Sequence, residues 1–159
     1  MEKFVHFDKL LGHYWPAAEE LRHYFLAPKG QEWFFASGND SAGFWVRGRN
    51  EPHKQLPPEA GVDIYLCLNA HPDHGVILSY SRWDGRTREK LEFDSRGDLS
   101  RLREWVRSLH GTVMPVGLFV PFDVAWPAVK EFLETEGELP TSIEWIADRD
   151  LPPDAFPNP

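Results

Sequence analysis

A single cysteine, Cys67, stands among the 159 residues. No intrachain disulfide can form, so stability must come from a buried core, and one domain of this length can supply it. No stretch approaches the roughly 18 consecutive apolar residues that span a bilayer. Residues 1–30 hold no basic, apolar, small-residue leader, so the chain is expected in the cytoplasm without membrane contact. A Gly-x-Ser-x-Gly elbow is missing, the nearest stretch being Ala36-Ser37-Gly38. There is no Gly-x-x-x-x-Gly-Lys-Ser/Thr and no Gly-x-Gly-x-x-Gly after a strand. These gaps disfavour nucleotide enzymes and elbow-type hydrolases. An excess of cations is lacking too: the net charge is −8. Residues 1–120 carry 15 Lys and Arg against 16 Asp and Glu, while residues 121–159 carry 2 against 9. A nucleic-acid binder needs the opposite balance.

What is abundant is aromatic surface: seven Trp, eleven Phe and four Tyr. That exceeds what packing alone requires, so at least one Trp is expected to be exposed as an interface anchor. The clearest strands are residues 62–70 (VDIYLCLNA) and 76–83 (VILSYSRW), joined by the turn His71-Pro72-Asp73-His74-Gly75. A third, at 87–93 (TREKLEF), completes a meander. In the first of these, Val62, Ile64, Leu66 and Leu68 share one face. The aromatic runs 32–37 and 44–49 predict a hairpin with a long polar turn, and the prolines of 50–61 predict a loop.

A packing helix is expected with Pro16 at its first position, Ala17, Ala18, Leu21, Tyr24 and Phe25 on its apolar face, and Pro28-Lys29-Gly30 at its end. A second helix is expected from Asp98 or Ser100, with Leu99, Leu102, Val106 and Leu109 inward and Gly111 beyond its end. Residues 112–120 are apolar and extended, with Pro115 pointing to an edge or irregular segment. A third helix is predicted for about 123–135, because Phe122, Trp126, Val129, Phe132 and Leu133 fall on one stripe; Asp123 serves as its cap and Pro127 lies in its first turn. Gly137 ends it, and 142–146 (SIEWI) alternates as a half-buried strand. The expected fold is α+β, a mostly antiparallel sheet with helices packed on one face, over residues 1–150. Residues 151–159 form a proline-rich tail, laid on the surface or disordered.

Candidates for chemistry are sparse. His71 and His74 with Asp73 fall short of the three or four ligands zinc requires, and two solvent-facing turn histidines are the simpler reading. Mid-strand Cys67 reads as structural, and the carboxylates Glu19-Glu20 and Glu136 with Glu138 as solvated charges. The run Arg82, Arg86, Arg88 and Lys90 is offset by Glu89, Glu92 and Asp94, which points to cross-strand ion pairs. No cofactor, no metal and no catalytic set are expected.

The C-terminal stretch carries a resemblance. Pro121 before the helix, then Ala128, Val129, Glu131, Phe132, Thr135, Gly137, Pro140, Ile143, Glu144 and Trp145 resemble the C-terminal signature of immunity-protein family one of bacterial polymorphic toxin systems. The likeness covers the last quarter closely, and more loosely the hairpin pattern from about Val62 onward. It implies a non-enzymatic inhibitor that binds a cognate secreted toxin domain, often a nuclease or nucleic-acid deaminase, in the producing cell. Such a toxin presents cationic surface to its substrate, so a basic protein partner is expected. The expected toxin-binding residues are Glu134, Glu136, Glu138, Glu144, Asp148 and Asp150 for an acidic surface, with Trp45 or Trp83 as anchors. For Glu144 and Trp145 the simpler reading is strand packing, Trp145 inward. Two other classes stay open: a small enzyme built around His71, His74 and Asp73, and a ligand-binding or homo-oligomeric assembly module that uses its aromatic sheet without a toxin partner.

Overall fold

Two ten-residue strands, β4 (Val62–His71) and β5 (Gly75–Asp84), pair along their whole length at the centre of a seven-stranded antiparallel sheet. The computed structural model describes residues 1–28, 40–49 and 61–157. The remaining strands of the large sheet are β1 (Glu2–Phe7), β2 (Leu10–Gly12), β3 (Ser41–Arg49), β6 (Glu89–Ser95) and β9 (Trp145–Ala147). Their spatial order is β2-β1-β3-β4-β5-β6-β9. Strand β4 shows the strict alternation read from its sequence: Val62, Ile64, Leu66, Leu68 and Ala70 are buried and the intervening residues half-buried. A register shift between Val46 and Arg49 interrupts the β3–β4 ladder, and there Gly48 N donates to Asp63 Oδ1 at 2.9 Å.

Helices α1 (Ala18–Leu26) and α2 (Phe122–Glu134) pack on one face of this sheet. Leu21, Phe25, Trp126, Val129 and Phe132 meet Val5, Phe7, Phe44, Val46, Ile64, Leu66 and Leu78 in one core. This is the α+β architecture expected. The strand predicted at 32–37 and the loop at 50–60 lie outside the described residues. Among the described residues, no helix is long and apolar enough to cross a membrane.

Several expectations change. The N-terminal segment holds strands β1 and β2 as well as a helix: Val5 and Phe7 alternate into the core, and the chain turns back at Asp8, whose φ is 51°. Helix α1 begins at Ala18, with Ala17 N donating to Glu20 Oε2 at 2.8 Å, so Pro16 lies before the helix. Helix α2 is capped by Pro121; Asp123 sits inside its first turn and Pro127 beyond that turn, on the exposed side.

The helix expected after Asp98 is a single 3-10 turn, Leu99–Arg101, followed by strand β7 (Trp105–Arg107), which pairs with β8 (Val113–Pro115). Asp98 does cap, accepting Ser100 N at 3.1 Å, but the cap serves only that turn. Leu99, Leu102 and Val106 still face a core, built on Ile77, Met114, Leu118 and Phe119, while Leu109 points outward at 71% exposure. An aromatic and a β-branched residue side by side, Trp105 and Val106, favour the strand. Pro115 is tolerated because β8 has a partner on one side only.

Candidate functional site

The face of the large sheet opposite the helices is only half covered. Ile77 projects onto it, and the β7–β8 hairpin with the 3-10 turn before it packs there. Beyond that end the face is open among the described residues.

Register places two rows of side chains across the open part. One runs Phe4, Trp45, Tyr65, Ser81, Glu92. The other runs His6, Gly43, Cys67, Ser79, Asp94, Ile146. In the first row Phe4 stands edge-on to Trp45 at 5.2 Å, and Trp45 stacks on Tyr65 with centroids 4.5 Å apart and planes 11° apart. Gly43 makes this stack possible. A Cβ there would lie 2.7 Å from the Tyr65 ring and 2.8 Å from that of Trp45, inside any real contact distance. Trp83 projects from the same face at 38% exposure.

Where the rows reach β5 and β6 a cleft of 440 Å³ opens, lined by Tyr65, Cys67, Ser79, Ser81, Glu92 and Asp94 on the sheet and by Asp148 and Phe156 from the C-terminal segment. That segment folds back across the molecule: Trp105 Nε1 donates to Ala155 O at 3.0 Å and Ala155 is buried. Asp94 is 5% exposed. Its Oδ1 accepts from Ser79 Oγ at 2.6 Å, and among the described residues it has no ion pair. Burial pushes its carboxyl up to about 6 against the pull of the Ser79 hydrogen bond, with Asp148 and Glu92 adding repulsion. Lys90, the cation lining the cleft, is held by Glu92 at 2.7 Å. Burial also raises the Cys67 thiol and the Tyr65 hydroxyl, which share a side-chain hydrogen bond. Cys67 is half-buried and unreactive in character, as its place in the strand suggested.

His71 and His74 are half-buried rather than solvent-facing, their rings 4.9 Å apart and packed on Phe119. Burial lowers the His74 pKa, with His71 and Arg101 adding to the effect. Among the described residues no group of three or more His, Cys, Asp and Glu is arranged to hold a metal ion.

The residues singled out for partner contact fall into separate places. Trp45, Trp83 and Asp148 share the open face. Glu134 closes helix α2 and pairs with Lys130 at 2.9 Å; Glu136 pairs with Lys3 at 3.1 Å. Both lie on the helix side of the sheet, as does exposed Glu138. Glu144 and Asp150 are exposed on either side of β9. Trp83 and Trp105 are the exposed tryptophans among the described residues. Asp94, the least exposed acid of the cleft, was read from sequence only as one charge among several, because nothing local shows that it meets Ser79 and Asp148.

The signature residues build the helix–turn–strand corner. The Glu131 carboxylate accepts Thr141 N at 2.9 Å, Thr141 Oγ1 at 2.8 Å and Ser142 N at 3.1 Å. Trp145 Nε1 donates to Pro140 O at 2.8 Å. Gly137, at φ 99°, donates to Phe132 O and accepts from the Tyr80 hydroxyl. Trp145 leans inward on the main core and Glu144 faces solvent.

Among the described residues, this is an α+β domain whose antiparallel sheet is sealed by helices on one side and half covered on the other, with stacked aromatics beside an acidic cleft. The model of the family described as Immunity protein Imm1 matches residues 35–147. The chain belongs to that family and is an immunity protein. No curated protein and no solved structure matches it.

Proposed function

We propose that the protein binds and neutralises a cognate secreted toxin domain in the bacterium that makes it, and that this toxin acts on nucleic acid as a nuclease or deaminase. Membership of the immunity family carries the reading. Charge supports the choice of target: a toxin that holds nucleic acid needs a cationic surface, and an inhibitor of net charge −8 is steered towards it. Trp45 and Trp83 supply apolar anchors on the same face as Asp148, while Glu134, Glu136, Glu138, Glu144 and Asp150 contribute to the surrounding field.

The test is affinity capture of the chain from its native cells, with intact-mass analysis of stoichiometric partners. The expected partner is a C-terminal fragment of a large secreted protein, toxic when expressed alone and harmless beside this chain. Recovery of the chain alone, from cells confirmed to make such toxins, would overturn the proposal. Reversing Glu136, Glu138 and Asp148 to Lys should weaken toxin binding and flatten its salt dependence. If affinity and salt slope both hold, electrostatic steering is not part of the recognition.

A further inference from the structure

We propose that the cleft over Asp94 is the receptor for one arginine side chain of the toxin domain, with the guanidinium set against the Asp94 and Asp148 carboxylates and its plane against the Tyr65 or Phe156 ring. The inference rests on the inhibitor reading above and names the contact that reading leaves open.

Four observations carry it. Asp94 is nineteen-twentieths buried, yet among the described residues only its Oδ1 has a hydrogen-bond partner, so the other oxygen is available to the cleft it lines. The lining holds three carboxylates, Glu92, Asp94 and Asp148, against the single ammonium of Lys90, and Glu92 already holds that ammonium. A buried acid among acids is unfavourable until a cation arrives. Aromatic rings, Tyr65 and Phe156, stand on the walls, and Phe156 is 46% exposed. Finally, the cleft opens onto the Trp45–Tyr65 stack. Its occupant therefore belongs to a body that also covers that apolar row, as a protein side chain does and a free ion does not.

Arginine suits the site better than lysine. Its planar fork meets two carboxylates at once, stacks on a ring, and leaves water more readily than an ammonium.

The protonation of Asp94 gives the contact a signature. Its carboxyl, raised to about 6 in the free protein, must be ionised to receive a guanidinium. Binding should therefore weaken as pH falls through about 6 and release a proton there. The groups facing Asp94 are Tyr65 and Cys67 on β4, Ser79 and Ser81 on β5, Lys90 and Glu92 on its own strand, and Asp148 from the segment after β9.

The test titrates N-acetyl-arginine methylamide into the isotopically labelled full chain near pH 7.5, with the uncharged citrulline analogue as control. The expected result is that the arginine probe shifts the amide signals of Tyr65, Ser79 and Asp94, that citrulline does not, and that Asp94→Asn abolishes the response while its spectrum elsewhere stays that of the native fold. The exposed α1 variant Glu19→Gln should respond as the parent does. No shift with arginine, or an equal shift in Asp94→Asn, would overturn the cleft as a guanidinium site.

With a captured toxin in hand, Asp94→Asn should weaken binding by about 100-fold near pH 7.5 and flatten the pH dependence. Unchanged affinity would overturn the arginine contact and leave the inhibitor reading standing. An arginine response in a chain that neutralises no toxin would sink the inhibitor reading, and the assignment of the arginine to a toxin with it.

Discussion

Two carboxylates act on the free protein in opposite senses. Glu131 is held below the usual carboxylate range, first by the backbone N–H of Thr141 and then by further bonds from Thr141 and Ser142. Its contribution is present above the unfolded pKa and fades as pH falls through the depressed folded value. Removing the acceptor leaves the 140–142 turn without its anchor. Glu131→Ala should cost about 1–2 kcal/mol, allowing for partial exposure, as read by urea denaturation near neutrality. A loss of a few tenths would mean that water replaces the carboxylate. Asp94 has the reverse sign: its pKa rises from 3.8 to about 6, so the stability linked to its neutral form is complete below about pH 4 and lost as pH rises through 6. Two pK units correspond to on the order of 3 kcal/mol. Asp94→Asn should therefore raise the melting temperature by several degrees near pH 8 and hardly at all near pH 4. Equal shifts at both pH values would show that charge is not the cause. A substitution that stabilises the free chain while weakening its complex is the mark of a group kept for binding.

At the scale of elements, the stack on β3 and β4 depends on what Gly43 leaves out. Gly43→Ala must displace Tyr65 or Trp45, and overpacking of this kind costs about 1–3 kcal/mol. Trp45 fluorescence should move with it, and an unchanged spectrum with unchanged stability would refute the role given to Gly43. Strand β4 and helix α2 were legible because each repeats one period along its length, and β5 and β6 because the turns at 71–75 and 84–86 bound them. Strands β1 and β2 were not, because Phe4 and His6 put aromatic surface on the face opposite Val5 and Phe7 and blur the alternation. The segment after Asp98 misled for a different reason. Leu99, Leu102 and Val106 have helical spacing and do face a core, but three apolar positions do not distinguish a helix from a turn followed by a strand. Trp45 and Trp83 could be proposed as anchors from the sequence. The cleft could not, since Tyr65, Ser79, Asp94, Asp148 and Phe156 meet only through cross-strand register and the return of the C-terminal segment.

For the molecule as a whole, pH acts on stability and on recognition in opposite directions. Protonating Asp94 relieves a buried charge, and lowering a net charge of −8 reduces self-repulsion, so the free protein should melt higher near pH 5 than near pH 8. The toxin complex should instead be tighter near pH 8. Calorimetric melting of the two species across this range checks both slopes, and parallel slopes would mean that Asp94 stays ionised in the free chain.

The large sheet ends on two strands of three residues each, β2 and β9, while its ten-residue strands lie at the centre with both sides paired. Beyond these short strands the border stretches of β1 and β6 carry Glu2, Lys3, Glu89, Lys90 and Glu92, charges that oppose pairing with another chain. An exposed aromatic face is ordinarily a hazard of fibril or sheet-to-sheet association, and charged borders weaken the template through which it would spread. Guarded in this way, the protein can accumulate without its aromatic row seeding strand-to-strand growth, a reserve held ready in advance of use.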